Sequence, residues 1–291
     1  GETRQLRQRS KARALSNETR LWRPMADGYS WLVGFSSIRH RYRVDRDVQT
    51  PGGRFDLAGV ENEVGETTVY GEAGVEIRKG LEGSLGARFT HSELSGSGEH
   101  LSPLVLARLD EDDGEREENR LLPSFSLLAR PAEELTLYAR YQQGFRPGGL
   151  SIAGDTVRLY RNDRLGTAEV GFRYGRPGVD RLDLQGGATL SHWKDIQADF
   201  LDASGLPVTD NIGDGRVWTV TANGGVRVTP ELRLEAGFAV NDGKITKPTH
   251  AFTLLAGSDE GSMEIPNIAR FVGRGAIDWG TSLSTDWSLV A

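Results

Sequence analysis

The 291-residue sequence has no cysteine, only two methionines, and no apolar run near the roughly 18 residues that a membrane-spanning helix needs. The first absence removes disulfides, thiolate metal sites and thiol nucleophiles together. The last removes a bundle of transmembrane helices, so any membrane role must be carried by strands. There is no basic excess either: 35 Lys and Arg stand against 41 Asp and Glu, a net charge of −6 at pH 7. A chain of that balance has no global positive field to hold nucleic acid. Residues 1–13 are basic, but no apolar core follows them, so no signal peptide is read there. Glycine is the residue in excess, at 37 of 291. Each glycine weakens a helix by about 1 kcal/mol, so the composition points to an all-β chain.

The informative pattern is strict alternation. From 135 to 145 the odd positions are Leu135, Leu137, Ala139, Tyr141, Gln143 and Phe145, and the even ones include Thr136, Tyr138, Arg140 and Gln142. Ala168, Val170, Phe172 and Tyr174 oppose Glu169, Gly171 and Arg173; Leu182, Leu184, Ala188 and Leu190 oppose Asp183, Gln185 and Thr189. Trp218, Val220, Ala222 and Val226 oppose Thr219, Thr221 and Asn223, and Leu232, Leu234, Ala236, Phe238 and Val240 oppose Arg233, Glu235 and Asn241. The segment lengths match the roughly 9–11 residues of a tilted transmembrane strand. A soluble sandwich alternates too, so the connections have to decide.

Strands are expected at 18–24, 29–40, 65–78, 81–93, 120–130, 134–146, 164–175, 181–193, 215–228, 232–243, 269–279 and 284–291. Short turns then alternate with connections of roughly 17 to 26 residues, which begin near Arg41, Leu94, Pro147, Lys194 and Lys244. Structureless connections that long are uncommon in soluble domains, whereas an outer-membrane barrel has short periplasmic turns and long extracellular loops. Trp31, Tyr138, Tyr141, Phe145, Tyr174, Trp193, Trp218, Trp279 and Trp287 fall mostly near expected strand ends, where interfacial girdles lie.

Leu122-Pro123-Ser124-Phe125-Ser126-Leu127-Leu128-Ala129-Arg130-Pro131 and Leu135-Thr136-Leu137-Tyr138-Ala139-Arg140-Tyr141-Gln142-Gln143-Gly144-Phe145-Arg146-Pro147-Gly148-Gly149 resemble the barrel of TonB-dependent outer-membrane receptors. Asn17-Glu18-Thr19-Arg20-Leu21, Glu169-Val170-Gly171, Trp193-Lys194-Asp195-Ile196-Gln197, Asn211-Ile212-Gly213 and Ile265-Pro266-Asn267-Ile268-Ala269-Arg270-Phe271 resemble the same family in the same order. The resemblance covers most of 16–280. It implies an antiparallel transmembrane β-barrel, partial here: about twelve strands of a barrel that in the family closes at about 22 around a plug. No plug domain and no terminal assembly signal is visible in the sequence, so residues 1–291 are expected to be an internal part of the barrel.

The resemblance also implies an uptake receptor. It would lie in outer-membrane lipid of a Gram-negative bacterium, bind a scarce small-molecule nutrient such as a ferric siderophore, and meet the TonB energy-coupling protein through the plug region. Arg140, Glu169, Arg173, Arg181, Asp183, Arg233, Glu235, Arg274 and Asp278 are expected to line the lumen, either as ligand contacts or as a solvated wall of cross-strand ion pairs. For ligand contact the outer connection 146–164 stands out, with Arg146, Arg158, Tyr160, Arg161 and Arg164 against only Asp155 and Asp163. Guanidinium groups pair bidentately with the carboxylate or catecholate oxygens of anionic ferric chelates. The acidic run 110–118 fails the EF-hand spacing, because Leu109 sits where the first ligand should be, and is read as a solvated charge run.

No catalytic residue, resident metal or cofactor is read. The histidines His40, His91, His100, His192 and His250 are scattered, and no nucleophile elbow, P-loop or dinucleotide fingerprint occurs. Two alternatives stay open on the residues alone: a self-contained small outer-membrane barrel, such as an autotransporter translocator or a hydrolase, and a secreted soluble β-protein that binds glycans or surfaces.

Overall fold

Alternation at period two becomes one antiparallel sheet in a computed structural model that describes residues 5–57, 59–99, 115–153, 156–201, 206–250, 252–253, 263–282 and 288–290. The chain starts with β1 (Gln5–Ala26) and β2 (Tyr29–Thr50), and a short β3 (Gly53–Asp56) folds back on the end of β2. There follow β4 (Gly59–Arg78), β5 (Leu81–Glu99), β6 (Glu115–Ala132) and β7 (Leu135–Arg146). A separate two-stranded hairpin, β8 (Gly149–Ala153) and β9 (Thr156–Tyr160), interrupts the series. It resumes with β10 (Asp163–Tyr174), β11 (Leu182–Leu201), β12 (Pro207–Arg227), β13 (Leu232–Pro248), β14 (Phe271–Ser282) and β15 (Ser288–Val290). Without β3, β8 and β9 the strands pair strictly in chain order, as an up-and-down sheet must.

The turns at one end are tight for a readable reason. Asp27 and Gly28 both have positive φ, 54° and 83°, the type I′ geometry that suits the right-handed twist of a hairpin and that an Asp-Gly pair adopts at low cost. At the other end the connections are long, as expected, but much of their length is strand. β2 runs on to Thr50, β11 to Leu201 and β13 to Pro248, and β1 begins at Gln5, well before the expected 18. Past the apolar band both faces are polar, so alternation fades while strand pairing continues, with register shifts between Trp193 and Gln197 and at Asp214–Gly215.

The two faces are inverted relative to a soluble sheet. Leu85 (69 %), Val170 (58 %) and Val220 (48 %) are exposed, whereas Thr90 (2 %), Asp183 (8 %) and Arg233 (8 %) on the other face are covered. Cross-strand hydroxyl pairs pave the polar face: Thr68 with Thr90 at 2.8 Å, Ser84 with Ser126 at 2.7 Å and Thr167 with Ser191 at 2.9 Å. Arg140 Nε donates to Glu169 at 2.7 Å, and Arg233 bridges Asp183 (2.5 Å) and Glu235 (2.8 Å). Two tyrosines lie flat across glycines: Tyr70 spans Gly34 to reach Glu18 (2.5 Å), and Tyr138 spans Gly171 to reach Glu169 (2.9 Å). A side chain at Gly34 or Gly171 would collide with the phenol ring. Tyr138→Phe removes one such bond and is expected to lower stability by about 1 kcal/mol, measured by urea unfolding followed on gels.

By register, Arg140, Glu169, Arg173, Asp183, Arg233, Glu235, Arg274 and Asp278 share this polar face. Arg181 sits in the bend before β11, where its carbonyl accepts from the Arg227 N–H one register step beyond Leu182 and Val226. Among the girdle candidates, Tyr138 and Trp193 also turn to the polar face, while Tyr141, Tyr174, Trp218 and Trp279 stand on the apolar face. Trp287 lies outside the described residues.

Candidate functional site

At the long-strand end, the β8–β9 hairpin leaves the sheet after Arg146 and lies across the polar face. Its apolar side chains Leu150, Ile152 and Val157 pack on Val44 of β2 and Val60 of β4 into a small core. Asn62 of β4 clasps it: the side-chain amide donates to the Leu150 carbonyl and its oxygen accepts from the Leu150 N–H, both at 2.8 Å. From the opposite side, the Thr209 N–H of β12 donates to Ser151 Oγ at 2.9 Å. The hairpin thus ties together strands that are far apart in the sheet order. Arg46 of β2 makes the same crossing directly, donating to the Pro207 carbonyl at 2.5 Å.

Two buried amides anchor the hairpin's stem. Gln197 Nε2 donates to the carbonyls of Pro147 (2.8 Å) and Arg161 (2.9 Å). Asn211 accepts from the Arg161 N–H at 2.6 Å and donates to the carbonyls of Arg161 (3.0 Å) and Asp195 (2.6 Å). A buried amide that satisfies backbone groups on two other segments holds them at fixed spacing, because any slip leaves unpaired polar atoms. Beside it, Ile196, Ile212, Ile245 and Ile265 form a second core at the ends of β11–β13. Ile212 is fully buried, so Ile212→Ala is expected to cost about 2–5 kcal/mol and to lower the temperature at which the folded band is lost on unboiled gels.

The connection singled out for ligand contact divides. Arg146 is held by Asp163 at 2.6 Å and by the Gln197 carbonyl at 2.9 Å, and Arg161 pairs with Asp195 at 2.8 Å. Tyr160 faces a cavity of about 570 Å³ between the hairpin, β2 and β12, with His40, Tyr42, Arg46 and Asp199 around it. Burial pushes the Tyr160 phenol above its ordinary value, so at neutral pH it keeps its proton and acts as a hydrogen-bonding group, not as an anion. Arg158 is exposed on the hairpin, opposite Ser151. Arg164 is separated from the rest: it shares the face of Ala168 and Val170, between Phe145 and Lys194. Strand β10 already begins at Asp163, so parity carries Arg164 to the apolar side.

The acidic run is described only from Glu115 onward, and 110–114 lies outside the described residues. Glu118 accepts from Asn162 Nδ2 at 2.5 Å and so ties β6 to the hairpin stem. The buried amides Asn62, Gln197 and Asn211 were not among the expected site residues. In the sequence Gln197 and Asn211 stand out only as parts of stretches that resemble the family, because their partners lie on remote segments.

The family model described as "TonB dependent receptor-like, beta-barrel" matches residues 3–291. No curated protein matches the chain by sequence. Among solved structures, the ferric yersiniabactin uptake receptor FyuA from Yersinia pestis is similar at a TM-score of 0.73 and 15 % identity, covering 98 % of this chain and 42 % of that one. The copper transporter OprC gives 0.66 and 14 % over 97 % and 43 %, and the ferric preacinetobactin receptor BauA from Acinetobacter baumannii gives 0.62 and 14 % over 97 % and 42 %. The chain therefore spans under half the length of these structures. Agreement in fold at such low identity, together with a family match along almost the entire length, accounts for the strand order, the inverted faces and the unequal ends at once. The chain belongs to the TonB-dependent receptor β-barrel family, a Gram-negative outer-membrane family of transport receptors and not of enzymes.

Proposed function

We propose that this chain is barrel wall of an outer-membrane active-transport receptor, with the apolar face in lipid, the tight turns in the periplasm and the hairpin end outside. The observation that carries the reading is the inversion of the faces: large apolar side chains stand exposed around the sheet, while Thr, Ser and paired charges are covered. Water disfavours that arrangement by about 25 cal/mol for each Å² of exposed apolar surface, and hydrocarbon does not.

The nutrient is proposed to be an anionic ferric chelate of the siderophore class. It would enter the cavity beside Tyr160, where His40, Tyr42 and Arg46 also line the wall; Arg146 and Arg161, held by Asp163 and Asp195, support that wall, and Arg164 is left out on geometry. Two of the similar structures are the ferric yersiniabactin uptake receptor and the ferric preacinetobactin receptor, which supports the class. Coupling to TonB would run through a plug contributed by sequence other than 1–291, resting against the polar wall that includes Arg173, Asp183, Arg233 and Arg274.

Radiolabelled-iron uptake by iron-starved source cells, with and without the gene, tests the proposal. Loss of uptake for at least one anionic ferric chelate, abolished equally by collapsing the proton gradient, is the expected result. Unchanged uptake of every ferric chelate in the panel would overturn the ligand class. A soluble polypeptide after fractionation would overturn the membrane reading as well.

A further inference from the structure

We propose that the cavity beside Tyr160 selects, among ferric chelates, those that carry aromatic rings and no more than one net negative charge; this deepens the uptake reading just given and rests on it. Three aromatic side chains line the cavity. His40 and Tyr42 stand side by side on β2, with ring centroids 6.3 Å apart and planes within 13° of parallel, and Tyr160 closes the space from the hairpin. Tyr160 lies over Gly149, where a side chain would collide with the phenol ring, so the ring has a fixed seat. Between the rings the lining is apolar, with Val44, Leu150 and Ile152. Such a surface holds an aryl group better than the alkyl and carboxylate arms of a ring-free chelate, because ring contacts add to the burial of apolar area.

The cavity also offers one unsatisfied donor. Among the described residues the Tyr160 hydroxyl has no hydrogen-bond partner, and it borders the cavity. Burial is the first reason that the phenol is raised; Arg146 works against it, and Asp199 and Tyr42 add to it, so all three lie within electrostatic reach. A protonated phenol donates, and a metal-bound phenolate or carboxylate oxygen is the acceptor that it lacks.

The charge around the cavity is balanced. Among the described residues that line it, Arg46 and Asp199 supply one charge of each sign. The guanidinium groups next to it are neutralised where they stand, Arg146 by Asp163 and Arg161 by Asp195, and Arg158 is not part of the lining. Thr209 Oγ1 donates to Asp199 at 2.5 Å and holds that carboxylate in place. A balanced lining sets up no field for a polyanion, and Asp199 repels each negative charge that is added. The cavity nearer the tight turns, between Asp183, Asn223, Glu235 and Arg274, has no aromatic side chain in its lining. The selectivity therefore belongs to the hairpin end.

The test is equilibrium dialysis of the full-length receptor in dodecyl maltoside against radiolabelled ferric chelates that separate ring from charge. A bis-phenolate aminocarboxylate carries two rings and one negative charge, ferric EDTA the same charge and no ring, a hexadentate tris-catecholate three rings and three negative charges, and a trihydroxamate neither. The wild type is expected to bind the bis-phenolate at least about tenfold more tightly than each of the others. Asp199→Asn should tighten the tris-catecholate by at least about tenfold, and Tyr42→Leu should erase the advantage of the bis-phenolate over ferric EDTA. Tyr160→Phe, which keeps the ring, should weaken the bis-phenolate by about tenfold. Equal or tighter binding of a ring-free chelate or of the tris-catecholate by the wild type overturns the inference, as does a tris-catecholate affinity unmoved by Asp199→Asn. Should a variant fail to fold, the wild-type ranking decides alone. Preference for another ferric chelate, or binding of none of them while iron uptake still depends on the gene, overturns only this selectivity. Uptake of every ferric chelate without the gene overturns the reading beneath it.

Discussion

An arginine at Ala188 is expected to lower barrel stability by about 2–4 kcal/mol, while an arginine at the adjacent Thr189 costs less than about 1 kcal/mol. The two positions are neighbours on β11 but face opposite ways. Ala188 lies in one cross-strand row with Val170 and Val220, which are 58 % and 48 % exposed, near the middle of the apolar band. A guanidinium there must be brought into hydrocarbon or drag water in with it, and either route is unfavourable. Thr189 lies in the row of Glu169 and Thr219 on the polar face, where a cation finds a carboxylate and water. The measurement is the urea midpoint of the full-length protein in lipid vesicles, followed by the fraction that migrates as a folded band without boiling. A soluble sheet predicts the reverse order, since Ala188→Arg would then place charge in water and Thr189→Arg would crowd a covered wall. Equal tolerance at both sites would sink the assignment of faces.

Asn62→Ala is expected to release the hairpin while leaving the barrel intact. The substitution strands both the N–H and the carbonyl of Leu150, a buried residue, and each unpaired buried group costs about 1–3 kcal/mol. The small core of Val44, Val60, Leu150, Ile152 and Val157 has few other contacts to offset that loss. Hydrogen exchange at 149–160 should therefore rise by at least about tenfold, with 164–174 and 182–193 unchanged. Asn62→Asp provides the control: it still accepts from the Leu150 N–H but sets a carboxylate oxygen against the Leu150 carbonyl, so it should open the hairpin too. If the hairpin is the wall of the nutrient site, both variants should weaken ferric-chelate uptake, and Ile212→Ala, which sits in the other core, should affect stability more than uptake. Unchanged exchange in Asn62→Ala would show that the bidentate clasp is not what holds the hairpin.

Much of this molecule was legible from residue order alone, because alternation is a local code. When one face meets hydrocarbon and the other water, each residue's side is decided by its own solvent, and parity follows without knowledge of any partner. That is why twelve strands in sequential order, tight turns at one end and the shared polar face of residues such as Arg140, Glu169 and Arg233 are legible in the sequence.

Beyond the apolar band both faces meet water and parity carries no information, so only tertiary structure could decide what happens there. The long connections at Arg41 and Lys194 are largely continued strand, held by backbone hydrogen bonds that any residue can make. The hairpin's partners are set by contacts such as Asn62 with Leu150 and Gln197 with Arg161, between segments remote in sequence. The same limit explains the cationic connection. Five residues look alike as a group, but the fold turns Arg146, Tyr160 and Arg161 toward the polar side and Arg164 toward the apolar face, because strand pairing begins at Asp163. Composition and alternation thus determined the wall and its two solvents, whereas the outer end, where solvent is the same on every side, was decided by which distant backbone groups could be satisfied together.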